Sequence, residues 1–214
     1  EISSNVPRSP TGTTTAAVTV NPLPTVTVNS PSLCANNSIA VNASGASTYT
    51  WSPGTGLSST TGASVTANPT VTTTYTITGT SAAGCTATAT STVTVNPVPT
   101  VTVNNATYCT GGSATLTAGG ASTYTWSPVT GLSSTTGASV TANPTVTTNY
   151  TVTGATAAGC VNTATTSVTV VTNPTVTVNT ATICINNSTT LNAGGAVTYT
   201  WSPATGLSST TGSS

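Results

Sequence analysis

The chain has 214 residues and only two formally charged side chains, Glu1 and Arg8; Lys, Asp, His, Gln, Met and Phe are absent. General acid–base chemistry needs a titratable group in a pocket, and a Ser or Thr nucleophile needs a base beside it. Calcium sites need carboxylates, zinc sites need His or clustered thiolates, and nucleic acid needs a basic surface, so the composition argues against an enzyme, a metal or other cofactor site and a nucleic-acid binder.

The richness in Thr and Val favours pleated strands over disorder. Uncharged alternating segments are also the raw material of amyloid, but the placement of Pro, Gly and Cys points to short strands with defined ends. No stretch approaches 18 apolar residues, so no membrane span is expected. No secretory signal is visible at the start, and the chain reads as a processed chain or an internal piece.

One string organises the rest. Ala46-Ser47-Thr48-Tyr49-Thr50-Trp51-Ser52-Pro53 recurs at 121–128 and, with Val197 for the Ser, at 196–203. Trp51, Trp126 and Trp201 are 75 residues apart, as are Cys34, Cys109 and Cys184, and as are Cys85 and Cys160. So long and regular a period marks a tandem array. Two full copies occupy 25–99 and 100–174, and 175–214 is a partial third. Residues 1–24 read as the last strand of a preceding copy or as an N-terminal segment, because 11–22 (TGTTTAAVTVNP) align with 86–97 (TATATSTVTVNP).

Within copy 1, Val26 and Val28 alternate with Thr25 and Thr27 in a half-buried strand that Cys34 closes. Ile39, Val41 and Ala43 give a second strand, ended by Gly45; Tyr49 and Trp51 mark a third, ended by Pro53. In the turn-rich loop from Gly54 to Gly62, Leu57 is the one large apolar residue and is expected to plug the core. Val65 and Ala67 form a short strand, then Val71, Tyr75 and Ile77 the next, up to Gly79. After Ser81-Ala82-Ala83-Gly84 and Cys85, the last strand runs from Thr86 to Val95 with Ala87, Ala89, Val93 and Val95 inward. Six or seven short strands with turns at about ten-residue spacing and no helical period predict an all-β, antiparallel β-sandwich in each copy. The links, Asn21-Pro22-Leu23-Pro24, Asn96-Pro97-Val98-Pro99 and Thr172-Asn173-Pro174, are short and proline-stiffened, which suits a semi-rigid rod.

Cys34 with Cys85 and Cys109 with Cys160 are the natural pairs, one disulfide for each copy, with the partner of Cys184 outside the chain. The alternative, Cys85 with Cys109 and Cys160 with Cys184, would join adjacent copies. The first pairing is preferred because a repeating domain normally closes its own staple. A loop of roughly fifty residues closed in this way adds on the order of 4 kcal/mol in the chain-entropy picture and implies an oxidising compartment. A single Trp between two bridged cysteines is more often a core pin than a sugar-stacking platform, so Trp51, Trp126 and Trp201 are assigned to the core.

The wording TYTWSPxTGLSSTTGASVTANPTVTT, followed by YTVTG, AAGC and TVTVNP, resembles the immunoglobulin-like and PKD-like tandem repeats of very large surface proteins in Bacteroidota. The resemblance covers nearly all of 11–214 and implies an extracellular, stalk-like or adhesive protein, often exported by the type IX route. The signal peptide and C-terminal sorting domain of that group are not seen in this sequence.

The functional expectation is a structural extracellular rod, either a stalk or a filament subunit, that associates with itself or with other cell-surface components. The loop Gly56-Leu57-Ser58-Ser59-Thr60-Thr61-Gly62, identical at 131–137 and 206–212, is a candidate interface, although recent duplication also explains the identity. In a strand-exchange version, residues 11–20 of one chain would complete the partial copy 175–214 of another. The alternatives are a glycan-binding adhesin module and, less favoured, an ice-binding surface, which needs coplanar Thr rows that a twisted sandwich keeps short. Asn36, Asn42, Asn105, Asn149, Asn186 and Asn187 lie in glycosylation-type triplets, which arise by chance in so Ser-, Thr- and Asn-rich a chain.

Overall fold

The computed structural model describes residues 17–214, and the chain divides into two compact units, 1–97 and 98–214. Every element among the described residues is a strand, and none is a helix.

The first unit holds copy 1. Its strands are β1 (Thr27–Val28), β2 (Ser32–Cys34), β3 (Ile39–Ser44), β4 (Thr48–Ser52), β5 (Ser64–Ala67), β6 (Thr73–Thr80) and β7 (Thr86–Asn96). One sheet has the order β1-β3-β5 and the other the order β2-β7-β6-β4. This is an immunoglobulin-like sandwich whose first strand is split between the two sheets. The alternation read from the sequence is the alternation of burial. Val41, Val65, Ala67, Tyr75, Ile77 and Val93 face inward at 3% exposure or less, and the intervening Thr face out.

Three details differ from the sequence reading. Val71 is 68% exposed and precedes the strand, which begins at Thr73. The first segment is not one strand, because β1 pairs antiparallel with β3 while β2 crosses to the other sheet. There β2 runs parallel to β7, with Ser32 opposite Thr94, Leu33 opposite Val95 and Cys34 opposite Asn96, so the sandwich is not purely antiparallel.

The crossing is held by an asparagine whose role the sequence reading missed. Asn29 Oδ1 accepts from the Asn42 amide at 2.6 Å, and the Asn29 carbonyl accepts from Ser91 Oγ at 2.7 Å. Ser91 is fully buried on β7, and that bond satisfies its hydroxyl. The available signal was the recurrence of Asn at 29, 104 and 179.

The second unit repeats the plan. It contains β8 (Thr102–Val103), β9 (Ala106–Cys109), β10 (Ala114–Gly119), β11 (Thr123–Ser127), β12 (Ser139–Ala142), β13 (Thr148–Ala155) and β14 (Val161–Val171). The sheets are β12-β10-β8 and β11-β13-β14-β9, and β9 again runs parallel to β14. Residues 175–214 keep only β15 (Thr177–Val178) and β16 (Ala193–Gly194), a single pair.

Of the segment 11–20 weighed for strand exchange, 11–16 lie outside the described residues. Val18 and Val20 are 86% and 87% exposed and belong to no strand.

Candidate functional site

The recurring loop Gly56–Gly62 lies along the open edges of both sheets. Towards β4, Trp51 N–H donates to the Thr60 carbonyl at 2.9 Å and Gly62 N–H to the Tyr49 carbonyl at 3.3 Å. Towards β5, Leu57 bridges Ala67, Ser58 N–H donates to the Thr66 carbonyl at 2.8 Å, and Thr66 N–H donates back to Ser58 Oγ at 3.0 Å. The loop therefore covers strand edges that would otherwise offer unpaired amides and carbonyls to another chain. Ser59 Oγ closes a local turn by accepting from Thr61 N–H at 3.1 Å.

Gly56 has a φ of 74° and lies so close to Pro69 that an added Cβ would meet the Pro69 Cα at 2.8 Å. The Leu57 side chain is half-buried against the core. Backbone conformation therefore asks for Gly56 and Gly62 (φ 106°), core packing for Leu57, and side-chain hydrogen bonds for Ser58 and Ser59. Outward, the loop presents the exposed side chains of Ser58, Ser59, Thr60 and Thr61.

Trp51 and Trp126 are each 4% exposed. Their indole N–H groups donate to the carbonyls of Gly62 and Gly137 at 2.8 and 2.9 Å, which ties the end of the loop to the core. Neither ring offers a face to a sugar. Trp201 makes the same bond to Gly212 at 2.9 Å but is only half-buried. The concavity around it is lined by Ile183, Leu191, Trp201 and Leu207, the positions that Leu33, Val41, Trp51 and Leu57 occupy in copy 1. It is the inner face of a half-sandwich, with Asn187, Ser188, Thr189, Thr190, Ser208 and Ser209 also in its lining.

The cysteine pairing expected within each copy is corrected. Cys34 and Cys160 are disulfide-bonded, whereas Cys85, Cys109 and Cys184 are free thiols. Cys34 lies opposite Asn96 at the last residue of β7, while Cys85 immediately precedes Thr86 at its start. Eleven residues of extended strand separate those two ends, roughly 36 Å at about 3.3 Å per residue. A disulfide needs Cα atoms within about 7 Å, so Cys34 cannot reach Cys85. The parallel β9·β14 register, Cys109 opposite Val171, separates Cys109 from Cys160 in the same way.

Each copy consequently has two poles. At the incoming pole, Val26 packs on Gly79 beside the start of β7, and Cys85 Sγ lies 3.7 Å from the Asn21 carbonyl oxygen. At the outgoing pole, Ala35 N–H donates to the Asn96 carbonyl at 2.8 Å next to Cys34.

Between the poles, the outer face of β4, β6 and β7 is a hydroxyl grid. Thr50 is opposite Thr78 and Thr78 opposite Thr88, while Thr74 and Thr92 hydrogen-bond across the strands at 2.9 Å. Among the described residues no group of His, Cys, Asp or Glu could hold a metal ion, and no buried side-chain nitrogen or oxygen lacks a partner. Burial raises the phenol pKa values of Tyr75, Tyr108 and Tyr150 above the ordinary 10.0, and Tyr108 adds to the shift of Tyr150.

No protein-family model and no curated protein sequence matches the chain. Among solved structures it is similar to a three-immunoglobulin-domain segment of titin, with a TM-score of 0.42 and 15% identity over 72% of this chain and 66% of that one. It is similar also to a Ca2+-stabilized adhesin with which an Antarctic bacterium binds ice, with a TM-score of 0.39 and 22% identity over 74% of this chain and 52% of that one. A third is murine CEACAM1b, with a TM-score of 0.34 and 14% identity over 70% of this chain and all of that one. These likenesses concern the immunoglobulin-like fold alone.

Proposed function

We propose that the chain is a structural, non-catalytic segment of an extracellular rod, either a stalk or a filament-building surface protein, made of end-to-end sandwiches. The observation that carries this reading is the polarity of each copy. The backbone enters beside one end of β7 and leaves from the other, eleven residues away, into a link of two prolines and a valine. A copy so wired transmits position along its long axis and adds a step of about 40 Å, given about 3.3 Å per strand residue plus the link.

Three further features support it. Asn29, Ser58, Ser59 and Ser91 turn polar side-chain or backbone groups to internal hydrogen bonds. A disulfide suits an oxidising compartment. No helix among the described residues is long and apolar enough to cross a membrane. The exposed Ser and Thr of the loop and the hydroxyl grid supply an uncharged surface over which copies attract or repel little by charge, so lateral association rests on hydrogen bonding and fit.

Electron microscopy of natively purified, unreduced protein tests the reading. Linear particles whose lobes repeat at about 40 Å are expected. Lobes folded back side by side, with no axial repeat, would overturn it.

A further inference from the structure

We infer that the disulfides of this array clamp its junctions: the cysteine at the outgoing pole of one copy bonds to the cysteine at the incoming pole of the copy that follows. In copy 1, Cys34 is in register with Asn96, the last strand residue before the link Pro97-Val98-Pro99. In copy 2, Cys160 lies two residues before Asn162, whose Nδ2 donates to the Pro99 carbonyl at 3.0 Å. Three residue steps separate Asn96 from Pro99, a reach of about 10 Å at most. Both cysteines of this junction are disulfide-bonded.

The other two junctions have the same construction. Cys85 Sγ is 3.7 Å from the Asn21 carbonyl oxygen, at the link before copy 1. Cys109 is in register with Val171, and the Thr110 carbonyl accepts from Asn173 Nδ2 at 3.0 Å, at the link after copy 2. Applied to positions 1–214, the junction rule pairs Cys34 with Cys160 and leaves Cys85, Cys109 and Cys184 without a counterpart. These are the three free thiols. Pairing inside copies would leave Cys184 alone.

Closing the bond removes two protons and two electrons from the two thiols. A thiolate attacks the disulfide of an oxidised dithiol carrier, the second thiolate displaces the carrier from the mixed disulfide, and the carrier departs as the dithiol.

The clamp changes what tension does to the rod. In a copy clamped at both poles, load enters at Pro99 and Cys160 and leaves at Cys109 and Thr172. The covalent routes between those points are Pro99 to Cys109 and Cys160 to Thr172, which follow β8–β9 and β14. The strands β9 and β14 are parallel neighbours, so the two rails lie side by side. Residues 110–159 belong to a closed loop off the load path, and their unfolding does not lengthen the rod. The twelve steps from Cys160 to Thr172 span about 43 Å at full stretch, against roughly 36 Å for β14 as folded. We therefore read the array as a nearly inextensible covalent ladder rather than an unfolding spring.

Thiol labelling of the unreduced, denatured 214-residue chain with a maleimide tests the bond assignment without any assembly, so it stands or falls separately from the rod reading. Three labels per chain are expected on the wild type, and four on Cys160→Ser, the added one on Cys34. A single label on the wild type, or a Cys160→Ser variant that gains its label on Cys109, would overturn the inference. Elastase peptides of unreduced protein should contain Cys34 joined to Cys160, and a Cys34–Cys85 or Cys109–Cys160 peptide would refute it. Pulling the oxidised chain by its termini should release about 440 Å less contour than after reduction, the length of the 126 residues between positions 34 and 160. A deficit of about 360 Å, set by the two 51-residue separations from 34 to 85 and from 109 to 160, would indicate closure inside each copy instead.

Discussion

In copy 1 the middle of the parallel strand is Leu33, buried in the hydrophobic core; the same position in copy 2 is Tyr108, whose hydroxyl donates to the Pro144 carbonyl at 2.7 Å. Ile39 and Val41 of copy 1 become Ala114 and Leu116, so one side chain shrinks as its neighbour on the same strand face grows. Ser91, bonded to the Asn29 carbonyl, becomes Thr166, bonded to that of Asn104, at 2.7 Å in both. Against these changes the turns at 45–47 and 56–63 are identical to those at 120–122 and 131–138. Gly45 and Gly120 have φ values of 91° and 90°, and at either a Cβ would collide with the carbonyl oxygen of Thr25 or Thr100. The lesson is that side-chain volume can be traded within a close-packed core, whereas a backbone turned against another backbone leaves no freedom.

The largest effect expected from testing that contrast is at the shared core pin. Trp51→Ala should cost copy 1 about 3–5 kcal/mol and leave copy 2 intact, and Trp126→Ala should do the reverse. Residue-resolved denaturant titration by NMR checks this, and an equal loss in both copies would contradict two separately filled cores.

Next comes the fixed backbone. Gly45→Ala should cost about 2 kcal/mol or more, because strain adds to collision with the Thr25 carbonyl. Gly84→Ala has a similar φ of 82° with nothing within 4 Å, and should cost about half as much or less by the same titration.

The exchangeable core should respond more gently. Val41→Leu alone overpacks copy 1 and should cost about 1–3 kcal/mol. Combined with Ile39→Ala, which copies the arrangement of copy 2, the loss should fall below the sum of the single losses in a double-mutant cycle.

The smallest difference is alkaline. Burial raises the folded-state pKa of Tyr75 in copy 1 and of both Tyr108 and Tyr150 in copy 2 above 10.0. The unfolded phenols therefore lose their protons first. The stabilisation is complete below pH 10 and is lost as pH rises through the raised folded values. Copy 2, with two such groups, should lose more than copy 1 above pH 10 in pH-dependent unfolding. Tyr108→Phe should narrow that gap while costing about 1 kcal/mol at neutral pH.

Legibility followed the range of the interaction. Strands such as Thr48–Ser52 and Thr73–Thr80 show in the sequence because alternate burial has a period of two. The indole of Trp51 was recognisable as a core group from its place in the repeat. The outward Ser and Thr of Gly56–Gly62 were visible as a candidate interface, but the loop's hydrogen bonds to β4 and β5 were not, because they join backbone groups that no residue type announces. Val71 satisfied the alternation and yet lies outside the strand, because periodicity registers a residue type and not a partner.

What the sequence by itself determined is the period, the all-β class, the near-absence of charged side chains and the placing of turns at Gly and Pro, since each depends on residues close in the chain or on composition. Only the tertiary structure decided that Ser32–Cys34 leaves β1 and runs parallel to β7 in the opposite sheet. That pairing joins residues about sixty positions apart, beyond the reach of any local preference. The direction of this one short strand sends Cys34 to the outgoing pole and Cys85 to the incoming one, so it determines which cysteines can meet.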